Sequence, residues 1–107
     1  MEEKLALATF SALSNATRLK ILKCLVAAGG TGLSAGEIAT SVGATPSRAS
    51  FHLSAMSDTG LIASQRQSRQ ITYKVDFAAM GALVQFLLED CCQNNAVVRS
   101  CCSPARR

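Results

Sequence analysis

The apolar residues of this chain keep a helical spacing as far as Met56, alternate strictly through Ile71, Tyr73 and Val75, and return to helical spacing from Phe77. A period of 3.6 residues buries one face of a helix, and a period of two buries one face of a strand. A chain that uses the second period once, late and briefly has room for one small hairpin inside a mainly helical domain. Its 107 residues suit a single domain, since domains average about 150 residues. A hydrophobic content of 49% against 17% charged supplies a core and excludes a disordered chain.

Local signals divide the helical part. Leu5 to Leu13 reads as a first helix, with Leu5, Leu7, Phe10 and Leu13 as its apolar positions. Ser14 or Asn15 then caps a second helix that runs to about Ala28 and ends at Gly29-Gly30. Its expected face is Leu19, Leu22 and Val26, flanked by Ile21 and Leu25. Ser34 to Glu37 spells a capping box that opens a third helix, with Ile38, Ala39 and Val42 inward and Gly43 as its stop. Thr45 caps a fourth, Pro46 takes the favoured first position, and Ala49, Leu53 and Met56 line its inner face until Gly60. Leu61 to Ser64 and Gln70 to Val75 are two strands, joined by the polar stretch Gln65 to Arg69. Asp76 caps a fifth helix whose stripe is Phe77, Met80, Val84, Leu87 and Cys91, flanked by Leu83 and Leu88. That stripe is too apolar to face water. Met80, Leu83, Val84, Leu87 and Leu88 are therefore expected at a dimer interface.

Two short helices joined by a tight, glycine-containing turn form a helix-turn-helix, and the hairpin after them forms a wing. The expected fold is mainly α with a small β-hairpin: a winged helix-turn-helix of about five helices and a two-stranded wing. Residues 1–92 carry DNA binding and dimerisation, and 93–107 form a flexible Cys-rich tail. Net charge is +4. Between Gly43 and Val75, however, Arg48, Arg66, Arg69 and Lys74 are opposed only by Asp58, an excess that suits a polyanion. The outer face of the fourth helix begins with Ser47, Arg48, Ser50, Phe51 and His52. Of these, Ser47, Arg48, Ser50 and His52 are expected to reach base edges in a major groove, with Arg66 and Arg69 on phosphates or a minor groove.

Four of the five cysteines, Cys91, Cys92, Cys101 and Cys102, fall within the last 17 residues. Cys24, among Leu22, Leu25 and Val26, reads as core. The start Met-Glu-Glu-Lys lacks the basic opening of a secretory signal, and the longest uncharged runs, Cys24 to Gly36 and Phe77 to Leu88, are too short to span a membrane. A cytoplasmic protein with reduced thiols is expected, so the cluster is either a ligand set or a redox switch. Thiol enzymes are disfavoured, because there is no C-x-x-C, no phosphate-cradling glycine loop and no His or acid placed to activate a thiol. An inert dimeric scaffold is a further alternative, separated from a regulator by sequence-dependent DNA binding.

The segments LSNATRLKIL (Leu13 to Leu22), SAGEIATSVG (Ser34 to Gly43), SRASFHLSAMSDTGLI (Ser47 to Ile62) and YKV (Tyr73 to Val75) resemble the ArsR family of winged-helix metalloregulators. The resemblance covers roughly Leu5 to Cys92. It implies a homodimer that represses from a palindromic operator and is released by an inducer. The founding arsenic sensors carry a C-x-C-type motif on the third helix, but EIATSVG has no cysteine. The zinc sensors use carboxylate and His ligands on the last helix, and this one has Asp76, Glu89 and Asp90 without a His. What remains, EDCCQNNAVVRSCC, resembles the arsenite sensors with a vicinal cysteine pair and a later tail cysteine. The resemblance thus implies arsenite or antimonite as inducer, held by Cys91, Cys92 and Cys101 or Cys102, with Cys101 slightly favoured by its shorter loop. A thiol redox or sulfide sensor of the same fold, or a zinc or cadmium sensor, is the alternative.

Overall fold

Side-chain caps start five of the helices. In the computed structural model, which describes residues 1–102, α1 spans Glu3–Leu13. Asn15 accepts from the Arg18 backbone N–H to start α2, Ala16–Ala28. A 3₁₀ turn, Gly29–Thr31, leads to the two-residue strand β1, Leu33–Ser34. Both halves of the expected capping box at Ser34 and Glu37 are formed, and α3 runs Ala35–Val42 to a left-handed Gly43. Thr45 caps α4, Pro46–Asp58, with the proline in its first turn. Strands β2, Ile62–Gln67, and β3, Gln70–Val75, follow. Asp76 caps α5, Phe77–Gln85, which continues into a π-helical segment, Phe86–Cys91. A sixth helix, α6, covers Ala96–Cys102. It lies within residues 93–107, the stretch expected to form a flexible Cys-rich tail. The remaining tail residues, 103–107, lie outside the described residues. Among the described residues no helix is long and apolar enough to cross a membrane.

The core is Ile21, Leu22, Leu25, Ile38, Leu53, Met56, Leu61, Ile62 and Val75. The stripes expected on α3 and α4 enter it, Val42 from its edge. The faces of α1 and α2 are rotated from expectation. The small side chains Ala6, Thr9 and Ala12 are what α1 buries, with Leu5 and Leu7 exposed. In α2, Ile21, Leu22 and Leu25 point inward while Leu19 and Val26 are exposed. Apolar residues cover so much of each helix's circumference that spacing alone leaves the buried arc open. The arc is chosen by what lies against it, which for α2 is α3, α4 and β3.

The sheet has three antiparallel strands in the order β1-β3-β2, not the two expected. Leu33 pairs with Tyr73 and Ser34 with Thr72. Two residues carry no period, so β1 left no trace in the hydropathy pattern. Gly32 makes the approach possible: its φ is +72°, and a Cβ there would lie 2.5 Å from the Tyr73 carbonyl oxygen. β3 has the expected bounds, while β2 runs further than expected, pairing from Ile62–Val75 to Gln67–Gln70, with Ser68 and Arg69 alone forming the tip.

Candidate functional site

The outer face of α4 is set by its inner one. Ala49, Leu53 and Met56 are completely buried, which leaves Ser47, Arg48, Ser50 and Phe51 exposed on the first two turns. Thr45 Oγ1 accepts from the Arg48 backbone N–H at 3.3 Å, so the cap fixes where this row begins.

His52 is half-buried and engaged. Arg18, on the first turn of α2, donates from Nε to His52 Nδ1 at 3.0 Å and from its guanidinium to the Ala12 carbonyl at 3.4 Å. The same guanidinium carbon lies 5.8 Å from the centre of the Phe51 ring. Phe51 and His52 meet edge to face, at 5.8 Å and 62°. Burial, and then the charges of Arg18 and Arg48, hold the imidazole below its usual pKa. A neutral imidazole whose Nδ1 accepts must carry its proton on Nε2. Asn15, Thr17, Ser47, Arg48, Phe51 and His52 line an open recess of about 400 Å³ between the start of α2 and the start of α4.

Arg66 stands on β2 opposite Ile71, and Arg69 in the turn beside Ser68, whose φ is +58°. Both arginines are exposed. Lys74 is tied to Gln65, Nζ to Oε1 at 3.3 Å.

Cys24 is on α2, and the other four cysteines lie at the end of the π segment and on α6. A regular α-helix would turn Cys92 about 100° away from Cys91. The π segment ends at Cys91, and its wider turn advances less per residue. The Cys92 N–H donates to the Leu87 carbonyl, five residues back, at 2.9 Å. Hydrogen bonding by the neighbouring Cys91 side chain, then desolvation, then the charges of Cys91 and Cys102, raise the Cys92 pKa. Left-handed Gln93 and Asn94 end the π segment's run, and Asn95 accepts the N–H groups of Val97 and Val98 to start α6. Among the described residues no three His, Cys, Asp or Glu side chains stand close enough together to hold a metal ion. Cys91 and Cys92 are neighbouring soft donors at the end of the π segment.

A helix-turn-helix domain family matches residues 13–65. The HTH-type transcriptional regulator YgaV of Escherichia coli (strain K12) is 40% identical over 82 residues, covering 77% of this chain and 81% of that protein. The ArsR-like transcriptional regulator from Rhodococcus sp. RHA1 superposes with a TM-score of 0.74 at 26% identity, covering 91% of this chain and 89% of that one. The chain belongs to the ArsR family of winged-helix transcriptional regulators. A third relative is the homodimeric winged helix-turn-helix DNA-binding domain (fragment 1-100) of Mb0332 from Mycobacterium bovis. It matches at 29% identity and a TM-score of 0.64, over 86% of this chain and 85% of that one.

In this ArsR-family regulator α3 and α4 are the helix-turn-helix and β2–β3 the wing. Ser47, Arg48 and Ser50 lie together on the outer face of α4, and Arg66 and Arg69 at the end of the wing. His52 is braced against Arg18 rather than free. Arg18 itself escaped the sequence reading, because its partner lies 34 residues away. Of the expected dimer residues, Val84 and Leu87 are exposed, Leu88 is half-buried, Met80 packs on the chain's own core, and Leu83 is buried within the chain at 4% exposure. Leu83 therefore supports α5 from inside.

Proposed function

We propose that this regulator is a homodimeric repressor of operator DNA, released when trivalent arsenic, as arsenite or antimonite, binds Cys91, Cys92 and a tail cysteine. The observation that supports the reading is the adjacent Cys91–Cys92 pair at the end of the π segment, followed within ten residues by Cys101 and Cys102 on α6. Soft thiols select soft centres. Trivalent arsenic exchanges hydroxyl groups for thiol sulfurs, each S–As bond releasing one water, so the thiol protons leave without net acid release. Zinc or cadmium instead requires thiolates and must displace those protons. The raised pKa of Cys92 opposes that step. An oxidant sensor would find Cys91 and Cys92 badly placed. Neighbouring Cα atoms are about 3.8 Å apart, whereas disulfides span about 4.4–6.8 Å, so Cys101 or Cys102 would have to be recruited.

The ligand set lies on the continuation of α5, the helix whose outward Val84 and Leu87 suit a dimer face. A change there re-spaces two recognition helices that must meet half-sites about one DNA turn apart. A coupling of about 1–3 kcal/mol between inducer and DNA, typical of such systems, corresponds to about 5- to 150-fold in operator affinity. Operator release is titrated with arsenite, zinc and a peroxide. Cys91→Ser and Cys92→Ser are expected to bind DNA normally and ignore arsenite, and Cys24→Ser to respond as the native protein does. Release of the Cys101→Ser, Cys102→Ser double variant at the native arsenite concentration would overturn the tail ligand. Release by peroxide or zinc but not arsenite would overturn the inducer class.

A further inference from the structure

Phe51 is 66% exposed, and it is the only large apolar side chain of α4 that is not buried. It stands one turn after Ser47 and Arg48 on the face opposite Ala49, Leu53 and Met56. Its ring is held in place, with the Arg18 guanidinium carbon 5.8 Å from its centre and His52 edge-on at 5.8 Å. Arg18 is itself fixed at the other end by His52 Nδ1 and the Ala12 carbonyl. An exposed phenyl ring that is pinned on a helix meant to enter DNA is a reading element. Its setting argues against a protein partner: the residues around it in the recess are Asn15, Thr17, Ser47, Arg48 and His52, and protein-docking patches are contiguous and apolar. In the major groove the apolar feature a base pair offers is the C5-methyl group of thymine.

We propose that Phe51 is a specificity-determining residue that packs against the methyl group of one thymine in each operator half-site, with Arg18 as the residue that positions the ring. The proposal rests on the DNA-binding reading of α4 and deepens it. Arg48, one turn earlier, supplies a charged contact to the neighbouring base or phosphate, so polar and apolar readout alternate along a single row.

Random-sequence duplexes are enriched on the full-length protein, and the consensus is resynthesised with each dT replaced singly by dU. That exchange removes the methyl group and leaves every hydrogen-bonding edge intact. In a fluorescence anisotropy titration, dU at one position per half-site is expected to weaken native binding about fourfold, the equivalent of one buried methylene. Phe51→Ala binds the dT and dU duplexes alike and keeps the other base preferences. Phe51→Leu, apolar but ringless, retains part of the dT preference. A half-site without thymine, native binding indifferent to every dU exchange, or an unchanged dT-to-dU ratio in Phe51→Ala would each overturn the proposal. Failure of the native protein to enrich any sequence would remove the DNA reading of α4 itself, and this proposal with it.

Discussion

The Arg18–His52 bond exists only while Nδ1 is free to accept, so one proton decides it. Burial and two neighbouring cations depress the imidazole pKa in the folded protein, whereas the unfolded chain titrates near the usual value of about 6.5. The folded state binds this proton less readily than the unfolded one. The stability it contributes is complete above the unfolded value and is lost as pH falls through the folded one. The melting temperature of the native protein is therefore expected to fall further between about pH 7.5 and 5.5 than that of His52→Gln, whose amide accepts without titrating. Equal falls would show that the bond does not contribute to stability. Little of this pair was legible beforehand. A lone His on a recognition helix suggests DNA, and nothing in NATRLKIL marks Arg18 as its partner, because the pairing depends on how α2 packs on α4. The exposed row Ser47, Arg48, Ser50 was legible, because three residues deep in the core fix the opposite face.

Elements that carry their own boundary chemistry were the readable ones. The box at Ser34 and Glu37, the cap at Thr45 with Pro46 after it, and the cap at Asp76 each place a helix start to the residue. The π segment Phe86–Cys91 has no such mark, since its hydrophobic residues fit an α-helix equally well and its five-residue bonds are chosen by the fold. The same holds for β1, which exists only because Gly32 lets two residues reach β3. The wing offers a direct test at this scale. Arg66 and Arg69 project at the end of a hairpin whose strands are paired along their full length, so removing them leaves the fold intact. A double Arg66→Ala, Arg69→Ala variant is expected to weaken binding to operator and to unrelated duplexes alike. Its salt slope should shrink by about 1 for each phosphate that the wing no longer neutralises. An unchanged slope in filter-binding titrations across salt would detach the wing from DNA.

At the scale of the molecule, the apolar residues left outside mark where the fold is incomplete. Leu5 and Leu7 on α1 and Phe77, Val84 and Leu87 on α5 and its continuation are all exposed, while the same helices bury Ala6, Thr9, Ala12 and Leu83 against their own chain. Each such side chain covered by a second copy contributes about 1.5–3 kcal/mol before the costs of association. On α5 and its continuation Leu83 is buried while Phe77, Val84 and Leu87 stay exposed, as expected of a terminal helix that meets its copy across a two-fold axis. Of the expected dimer residues, Val84 and Leu87 are exposed while Leu83 is buried and Met80 packs on the chain's own core, because the wide stripe on α5 serves both surfaces. Val84→Glu places a charge on the outer face without touching Leu83 or Met80, so the fold should survive and the dimer should not. Light scattering is expected to show monomers with native helix content. Operator affinity should fall on the order of 100- to 10,000-fold as the second half-site loses its tethered partner. A native protein that is monomeric at micromolar concentration, or a Val84→Glu variant that remains dimeric and bound to DNA, would place the interface elsewhere. It would also detach the thiol site at the end of this helix from the spacing of the recognition helices it is proposed to control.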